Sequence, residues 1–91
     1  MLLSIIIVNY NNYKFILSCL KSIKCLSLNV NNEIIIIDNS SKDENFKLIK
    51  KDFKECVVVK NSKNNGFAKA VNQGFKIAKG EILLILNPDV K

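Results

Sequence analysis

Four apolar runs divide the chain, and each is continuous rather than alternating with polar residues. The runs are Ile5–Val8, Ile34–Ile37, Val57–Val59 and Ile82–Leu86. Short continuous apolar runs rich in β-branched residues are typical of strands that are covered on both faces, as in a parallel sheet. The pattern therefore predicts four parallel strands.

The segments between these runs have the spacing of amphipathic helices, with apolar residues three or four positions apart. These residues are Ile16, Leu20 and Ile23 in the first segment, Phe46, Ile49 and Phe53 in the second, and Phe67, Ala70, Val71, Phe75 and Ala78 in the third. Ser41 to Glu44 matches the S-x-x-E capping box that begins a helix, here the second. Gly80 occupies the position expected for the C-cap of the third helix.

Together these elements predict an α/β fold, a Rossmann-like parallel sheet with the element order β-α-β-α-β-α-β. We expect the strand order 3-2-1-4, which is half of a doubly wound sheet. A chain of 91 residues is one domain or a piece of one. Since the chain ends directly after the fourth strand, we expect this edge to stay open and to favour homo-oligomerisation.

The composition excludes several classes of function. The chain has no His and no Arg, and all fourteen cations are Lys, for a net charge of +6. Without His there is no Ser-His or Cys-His nucleophile pair and no imidazole metal site. Without Arg there is no bidentate fork for phosphate or guanine. We interpret the excess of lysines over acidic residues as a solvated Lys surface, and we expect no nucleic-acid partner.

The cysteines and the N-terminal run bear on localisation. Cys19, Cys25 and Cys56 are odd in number and lack C-x-x-C spacing, so we expect reduced, mostly buried thiols. The apolar run Leu2–Val8 lacks the basic region and cleavage site of a signal peptide, and it is far shorter than the ~20 residues that span a bilayer. We expect a cytoplasmic protein, with peripheral association at the cytoplasmic membrane face as an alternative.

Polar residues follow every predicted strand, at the edge where open parallel sheets bind ligands. These stretches are Asn9–Asn12, Asp38–Ser41, Asn61–Gly66 and Asn87–Asp89. Turn formation accounts for most of the Asn and Ser residues. It accounts less well for Asp38 and Asp89, because a carboxylate next to a buried run is costly unless something binds it.

Two uses of such carboxylates are consistent with this fold: accepting hydrogen bonds from a base or ribose, and holding a divalent cation on diphosphate oxygens. A P-loop lysine motif and a G-x-G-x-x-G motif are both absent, which argues against a kinase and a dehydrogenase. A receiver-like domain is disfavoured because Asn9 and Asn61 stand where acidic residues would be needed.

Four motifs, in order along the chain, resemble a known family. They are S-I-I-I-V-N-Y-N at 4–11, I-I-I-I-D-N-S-S-K-D at 34–43, N-N-G-F-A-K-A-V-N-Q-G at 64–74 and L-L-I-L-N-P-D-V at 83–90. With them the chain resembles the N-terminal half of a family 2 glycosyltransferase of the GT-A fold, a nucleotide-diphospho-sugar transferase. The rhamnosyltransferase-like subgroup is the one it resembles most.

The resemblance implies a nucleoside diphosphate sugar donor, with UDP and dTDP as equal alternatives. It assigns the base-binding side to residues that follow the first two strands. Asn9 and Tyr10 would border the base, and Asp38 would accept a hydrogen bond from it. Asn39 and Asp43 would shape the rim.

The resemblance assigns the sugar-diphosphate side to the later motifs. Gly66 begins a segment matching G-x-x-x-A-R-N-x-G, in which Asn72 would approach the nucleotide-sugar and Val71 replaces the Arg. Asn87 and Asp89 occupy the ends of the D-x-D position, where Asp89 would bind Mg²⁺ or Mn²⁺. Asn87 in place of the first Asp leaves one carboxylate for the metal.

The implied reaction is an inverting sugar transfer to a polysaccharide or lipid-linked acceptor. In the family the catalytic base and the acceptor site lie beyond the D-x-D motif. We therefore expect residues 1–91 to carry the donor- and metal-binding half without a catalytic base. The alternative is a non-catalytic α/β fragment that self-associates or pairs with a partner chain.

Overall fold

The predicted element order and strand order are confirmed. The computed structural model describes residues 2–25, 31–40 and 47–86. Its elements are β1 (Leu2–Asn9), α1 (Tyr13–Cys25), β2 (Asn31–Asp38), α2 (Lys47–Asp52), β3 (Val57–Lys60), α3 (Phe67–Ile77) and β4 (Ile82–Leu86). Over these residues the strands form one parallel sheet in the order β3-β2-β1-β4. None of the described helices is long and apolar enough to cross a membrane.

The register of the sheet aligns the polar ends of three strands. β1 pairs with β2 along its whole length, so that Asn9 lies beside Asp38. Asp38 in turn lies beside Lys60 at the end of β3. The carboxyl ends of β1, β2 and β3 therefore finish at one level, and the residues that follow them share one edge of the sheet.

The core has two layers because the central strands alternate their side chains between the two faces of the sheet. On one face Ile5, Ile7, Ile34 and Ile36 pack with Ile16, Leu20, Ile49 and Phe53 of the α1 and α2 region. On the other face Ile6, Val8, Ile35 and Ile37 pack with Ala70 and Val71 of α3. Both faces of β1 and β2 are thus covered, as predicted.

The prediction of two covered faces is wrong for β4 and holds only in part for β3, whose Val58 and Val59 are half-buried against the two core layers. Ile82, Leu83, Leu84 and Ile85 of β4 are 38–47% exposed, and Val57 of β3 is 43% exposed. Over the described residues the helices pack on the central strands, which leaves the side chains of β4 in solvent. An open edge beside β4 stays a prediction.

The inner face of α3 also differs from the predicted stripe. Phe67 and Phe75 are exposed, whereas Ala70, Val71 and Gly74 are buried. Small side chains let the helix axis approach the sheet closely, so the large aromatic rings project to its flanks. Among the core positions predicted for the first two helices, Ile16, Leu20, Ile49 and Phe53 are buried and Ile23 is half-buried; Phe53 directly follows α2. The capping box at 41–44 and Phe46 lie outside the described residues.

Gly80 is not the C-cap of α3. The helix ends at Ile77, and Ala78 is the C-cap in an extended conformation, its N–H donating to the Gly74 carbonyl at 2.9 Å. Gly80 instead passes directly against β1. A Cβ at this position would contact Ser4 Oγ and would lie 2.7 Å from Ser4 N and 2.8 Å from Leu2 O. Glycine is needed here because backbone atoms leave no room for a side chain.

Candidate functional site

The candidate site lies at the carboxyl edge of the sheet, where backbone hydrogen bonds continue the ladder past the strand ends. The Asn39 N–H donates to the Asn9 carbonyl and the Asn61 N–H to the Asp38 carbonyl, each at 2.8 Å. These bonds bring three of the polar stretches predicted from the sequence together. Asn9, Asp38, Asn39 and Asn61 consequently lie at one edge.

The centre of this edge is a buried pair formed by Asn9 and Asp38. Both residues are 0% exposed, and Asn9 Nδ2 donates to Asp38 Oδ1 at 3.0 Å. The amide of Asn9 is oriented from its other side, because Asn9 Oδ1 accepts from the Asn12 N–H at 3.2 Å. Asn12 in turn accepts from the Phe15 N–H at 3.4 Å, in the manner of an N-cap for α1. The start of α1 thus orients the Asn9 amide, which donates to the Asp38 carboxylate.

Tyr10 lies beside this pair in the chain but faces solvent, with 44% of its surface exposed. It offers an aromatic surface at the rim, next to a buried carboxylate. The following residue, Asn11, has a φ of 53° and turns the chain toward α1. The structure therefore separates the two residues assigned to the base: Asn9 is buried and Tyr10 is exposed.

A network of side-chain amides joins the ends of β2 and β3 to α3. Asn39 is 2% exposed; its Nδ2 donates to the Gly66 carbonyl at 3.2 Å, and its Oδ1 accepts from Asn61 Nδ2 at 2.9 Å. Asn61 and Gln73 exchange two hydrogen bonds of 2.8 Å. We refer to Asn39, Asn61 and Gln73 as the amide network. It anchors the loop between β3 and α3 on the edge of the sheet.

Asn61 and Gln73 were not assigned to the site from the sequence. Asn61 belongs to a polar stretch that turn formation explains, and Gln73 lies inside a family motif without an assigned role. Their positions in the predicted elements could have indicated the site. Asn61 follows a strand at the carboxyl edge, and Gln73 lies on the helix that packs on the sheet. Their reciprocal pairing depends on the tertiary structure.

Gly66 and Asn72, the predicted residues of the third motif, occupy different surroundings. Gly66 is the N-cap of α3 with a φ of 86°, a backbone conformation that favours glycine. Its N–H donates to Asn64 Oδ1 at 2.9 Å, and its carbonyl accepts from Asn39. Asn72 is exposed and lines a groove on the outer side of α3. Gly66 thus belongs to the edge, whereas Asn72 lies in the groove along α3.

The remaining predicted residues, Asp43, Asn87 and Asp89, lie outside the described residues. Within 2–25, 31–40 and 47–86, no three His, Cys, Asp or Glu side chains come together in a way that could hold a metal ion. A single carboxylate suits Mg²⁺ when substrate phosphates and water complete its coordination. The assignment of a divalent cation to Asp89 remains a prediction.

The described cysteines are not suited to act as nucleophiles. Cys56 is buried and Cys19 is half-buried, and neither forms a disulfide. Burial raises the pKa of the Cys19 thiol, so that it stays protonated at neutral pH. This environment fits the structural role expected for these residues.

Comparison with known proteins identifies the family. The family model for glycosyl transferase family 2 matches residues 4–91. A poly(ribitol-phosphate) beta-glucosyltransferase from Bacillus spizizenii is 34% identical over 94 aligned positions, covering 98% of this chain and 15% of that protein. The crystal structure of S. aureus TarS 1-349 superposes with a TM-score of 0.84 at 27% identity, covering 98% of this chain and 28% of that one.

This chain therefore spans only a small part of the length of each relative. The agreement nevertheless extends over almost all of its own residues, and it includes the strand order and the elements that carry the site. The parallel sheet is that of the GT-A glycosyltransferase fold. The chain belongs to glycosyl transferase family 2.

Proposed function

We propose that this chain carries the donor-binding part of a glycosyltransferase that uses a nucleoside diphosphate sugar. The family match supports glycosyl transfer in general. The buried pair of Asn9 and Asp38 at the carboxyl edge is the observation that supports the donor site. Ligands of open parallel sheets bind at this edge, near the point where the strand order reverses, which here lies between β1 and β4.

The pair supplies a carboxylate that is already oriented. Each carboxylate oxygen accepts more than one hydrogen bond, so Asp38 can bind Asn9 and an N–H of a nucleotide base together. Because Asp38 is fully buried, the base first meets the exposed ring of Tyr10 and reaches the carboxylate when neighbouring side chains move aside. Stacking on Tyr10 and hydrogen bonding to Asp38 would then hold the base.

The transfer itself is an inverting displacement in this proposal. An acceptor hydroxyl oxygen bonds to the anomeric carbon of the sugar, the bond from that carbon to the diphosphate breaks, and a base takes the hydroxyl proton. A divalent cation at Asp89 would neutralise the leaving diphosphate. We assign the base to a part of the enzyme outside residues 1–91, in keeping with the 28% of TarS 1-349 that this chain covers.

The acceptor in this proposal is a polymer or a lipid-linked glycan. The relative from Bacillus spizizenii, named for its action on poly(ribitol-phosphate), supports a polymer that contains phosphodiesters. A cytoplasmic location belongs to the same proposal and is consistent with Cys19 and Cys56 forming no disulfide.

Calorimetric titration with UDP, dTDP and GDP, each with and without Mn²⁺, tests the donor site. We expect saturable, metal-dependent binding of one of the three nucleotides. Asp38→Asn should weaken this binding at least tenfold, because it replaces an acceptor with a group that also donates. Asp52→Asn removes the same charge from an exposed position at the end of α2 and is the matched control.

Asp89→Ala should abolish the effect of Mn²⁺ on nucleotide binding. Urea denaturation of each variant separates loss of binding from loss of folding. The proposal fails if no nucleotide binds to the folded chain, or if Asp38→Asn and Asp52→Asn behave alike.

A further inference from the structure

The positive charge of the chain is concentrated in one segment. Between Val57 and Gly80 there are five lysines and no acidic residue. The other nine lysines share the rest of the chain with all eight acidic residues, so that part is almost neutral. Nearly the whole net charge of +6 therefore comes from β3, α3 and the loops around them.

Three of these lysines line one groove, which we call the lysine groove. Its lining consists of Lys63, Asn65, Lys69, Asn72, Gln73 and Lys76. The cavity volume is about 430 Å³, within the range of roughly 300–1,000 Å³ that is usual for ligand pockets. Every side chain of the lining is a lysine or an amide, without a carboxylate to neutralise the charge or an aromatic ring.

The groove follows the outer face of α3. Lys69, Asn72, Gln73 and Lys76 recur at intervals of three and four residues and so share one side of the helix. The buried residues Ala70, Val71 and Gly74 lie on the opposite side, against the sheet. With a rise of 1.5 Å per residue, Lys69 and Lys76 stand about 10 Å apart along the axis. The groove therefore presents separated cations along a line rather than a single cluster.

The groove also connects to the candidate donor site. Lys63 and Asn65 belong to the loop that follows β3 at the carboxyl edge. Gln73 lines the groove and is held by its two hydrogen bonds of 2.8 Å with Asn61. A ligand lying in the groove would run from this edge outward along α3.

The chemistry of the lining selects a class of ligand. Lysines bind phosphate oxygens as point charges, and side-chain amides bind hydroxyl groups. Binding of single-stranded nucleic acid usually relies on aromatic side chains that stack on the bases, and the lining has none. A flexible polyol chain with phosphodiesters at intervals matches both the spacing of the cations and the amides between them.

We propose that the lysine groove binds a phosphodiester-linked polyol chain, as a contact for the acceptor polymer additional to the acceptor site expected beyond the D-x-D motif. This inference rests on the proposed function, since it names the acceptor of that transfer. Lys63, Lys69 and Lys76 neutralise phosphates, while Asn65 and Asn72 bind the hydroxyl groups between them. The polymer is thereby held beside the carboxyl edge of the sheet.

Fluorescence anisotropy with a labelled, synthetic ribitol phosphate octamer tests the groove in the 91-residue chain. The triple variant Lys63→Gln, Lys69→Gln and Lys76→Gln should weaken binding at least tenfold, which corresponds to about 1.4 kcal/mol. The matched control is Lys14→Gln, Lys21→Gln and Lys51→Gln, which removes the same charge from exposed positions on α1 and α2. It should weaken binding less than threefold.

Three results would overturn the inference. The first would be that the octamer fails to bind the folded parent chain. The second would be that the two triple variants lose affinity equally, because octamer binding would then depend on net charge and not on the groove. The third result would be that an oligothymidylate of equal charge binds as tightly as the octamer and loses as much affinity in the groove variant. The groove would then be a general site for polyanions.

The same variants separate this inference from the proposed function. The double variant Lys69→Gln and Lys76→Gln, which keeps Lys63 at the carboxyl edge, should bind nucleotide and Mn²⁺ like the parent, because both lysines lie on the outer face of α3. If the parent binds the octamer through the groove but binds no nucleotide, the donor assignment fails and the polymer site stands. If nucleotide binds and the octamer does not, the groove assignment fails alone.

Discussion

At the scale of single residues, the site is organised by amide side chains. Asn9 orients Asp38, and the amide network of Asn39, Asn61 and Gln73 fastens the β3–α3 loop. An amide both donates and accepts, so one side chain can satisfy two buried partners at once. This property explains why more Asn residues follow the strands than turn formation requires.

Asn9→Asp should strongly destabilise the fold. It places a second carboxylate within about 3 Å of Asp38 at a buried edge, where uncompensated charge typically costs about 3 kcal/mol or more. Asn12→Asp is the control, since Asp caps a helix as well as Asn does. Urea denaturation at pH 7 measures both variants. Equal stabilities would show that the pair is not buried in solution.

The pair of Asn61 and Gln73 should show energetic coupling. Each substitution by Ala should lower the free energy of unfolding by about 1 kcal/mol or more, because it removes both hydrogen bonds of the pair, and Asn61→Ala also removes the bond to Asn39. The double variant should cost less than the two single effects combined, by about 0.5 kcal/mol or more. A double-mutant cycle from urea denaturation measures this coupling. Strict additivity would contradict the reciprocal pairing.

At the scale of secondary-structure elements, a second polar cluster joins three elements near the opposite edge of the sheet. Ser4 Oγ donates to Glu33 Oε2 at 2.5 Å, and the Lys79 N–H donates to the same oxygen at 2.6 Å. The Gly80 N–H donates to Ser4 Oγ at 2.8 Å. β1, β2 and the connection from α3 to β4 are thus held together by one carboxylate.

This cluster predicts a dependence of stability on pH. The hydrogen bond from Ser4, and next the one from the Lys79 N–H, lower the pKa of Glu33 below its ordinary value of 4.5. A lowered pKa in the folded state stabilises the fold above the ordinary value, and this contribution disappears as the pH falls through the folded pKa. Glu33→Gln should therefore cost stability at pH 7 and much less at pH 3.

Urea denaturation of the parent and Glu33→Gln at these two pH values checks the prediction. Glu55→Gln is the control, because Glu55 is exposed in the turn before β3. A difference between the parent and Glu33→Gln that stays constant with pH would contradict the role of the carboxylate charge.

At the scale of the whole molecule, the exposed apolar side chains of β4 predict self-association. Ile82, Leu83, Leu84 and Ile85 form a continuous exposed strand, and such strands pair with other chains. The 91-residue chain should therefore show concentration-dependent sedimentation. Leu84→Lys should weaken the association, whereas Leu48→Lys, at a similarly exposed position on α2, should not. A parent chain that stays monomeric at high concentration would contradict this prediction.

The sequence by itself determined the order and kind of the elements. Continuous apolar runs such as Ile34–Ile37 are local properties, and so is the spacing of Ile16 and Leu20 on their helix. The register of a parallel sheet then places Asn9 beside Asp38, since both residues directly follow such runs. For this reason the strand order and the edge that holds the site were predictable.

Only the tertiary structure decided burial at the periphery and the partners of long-range contacts. Phe75 has the spacing of a core residue and yet is exposed, because Ala70 and Gly74 bring α3 close to the sheet. Gly80 is required by the backbone of Ser4, which lies 76 residues away in sequence. Lys63, Lys69 and Lys76 look like ordinary surface residues until folding aligns them in one groove. Each of these features depends on neighbours that are remote in sequence, which no local pattern records.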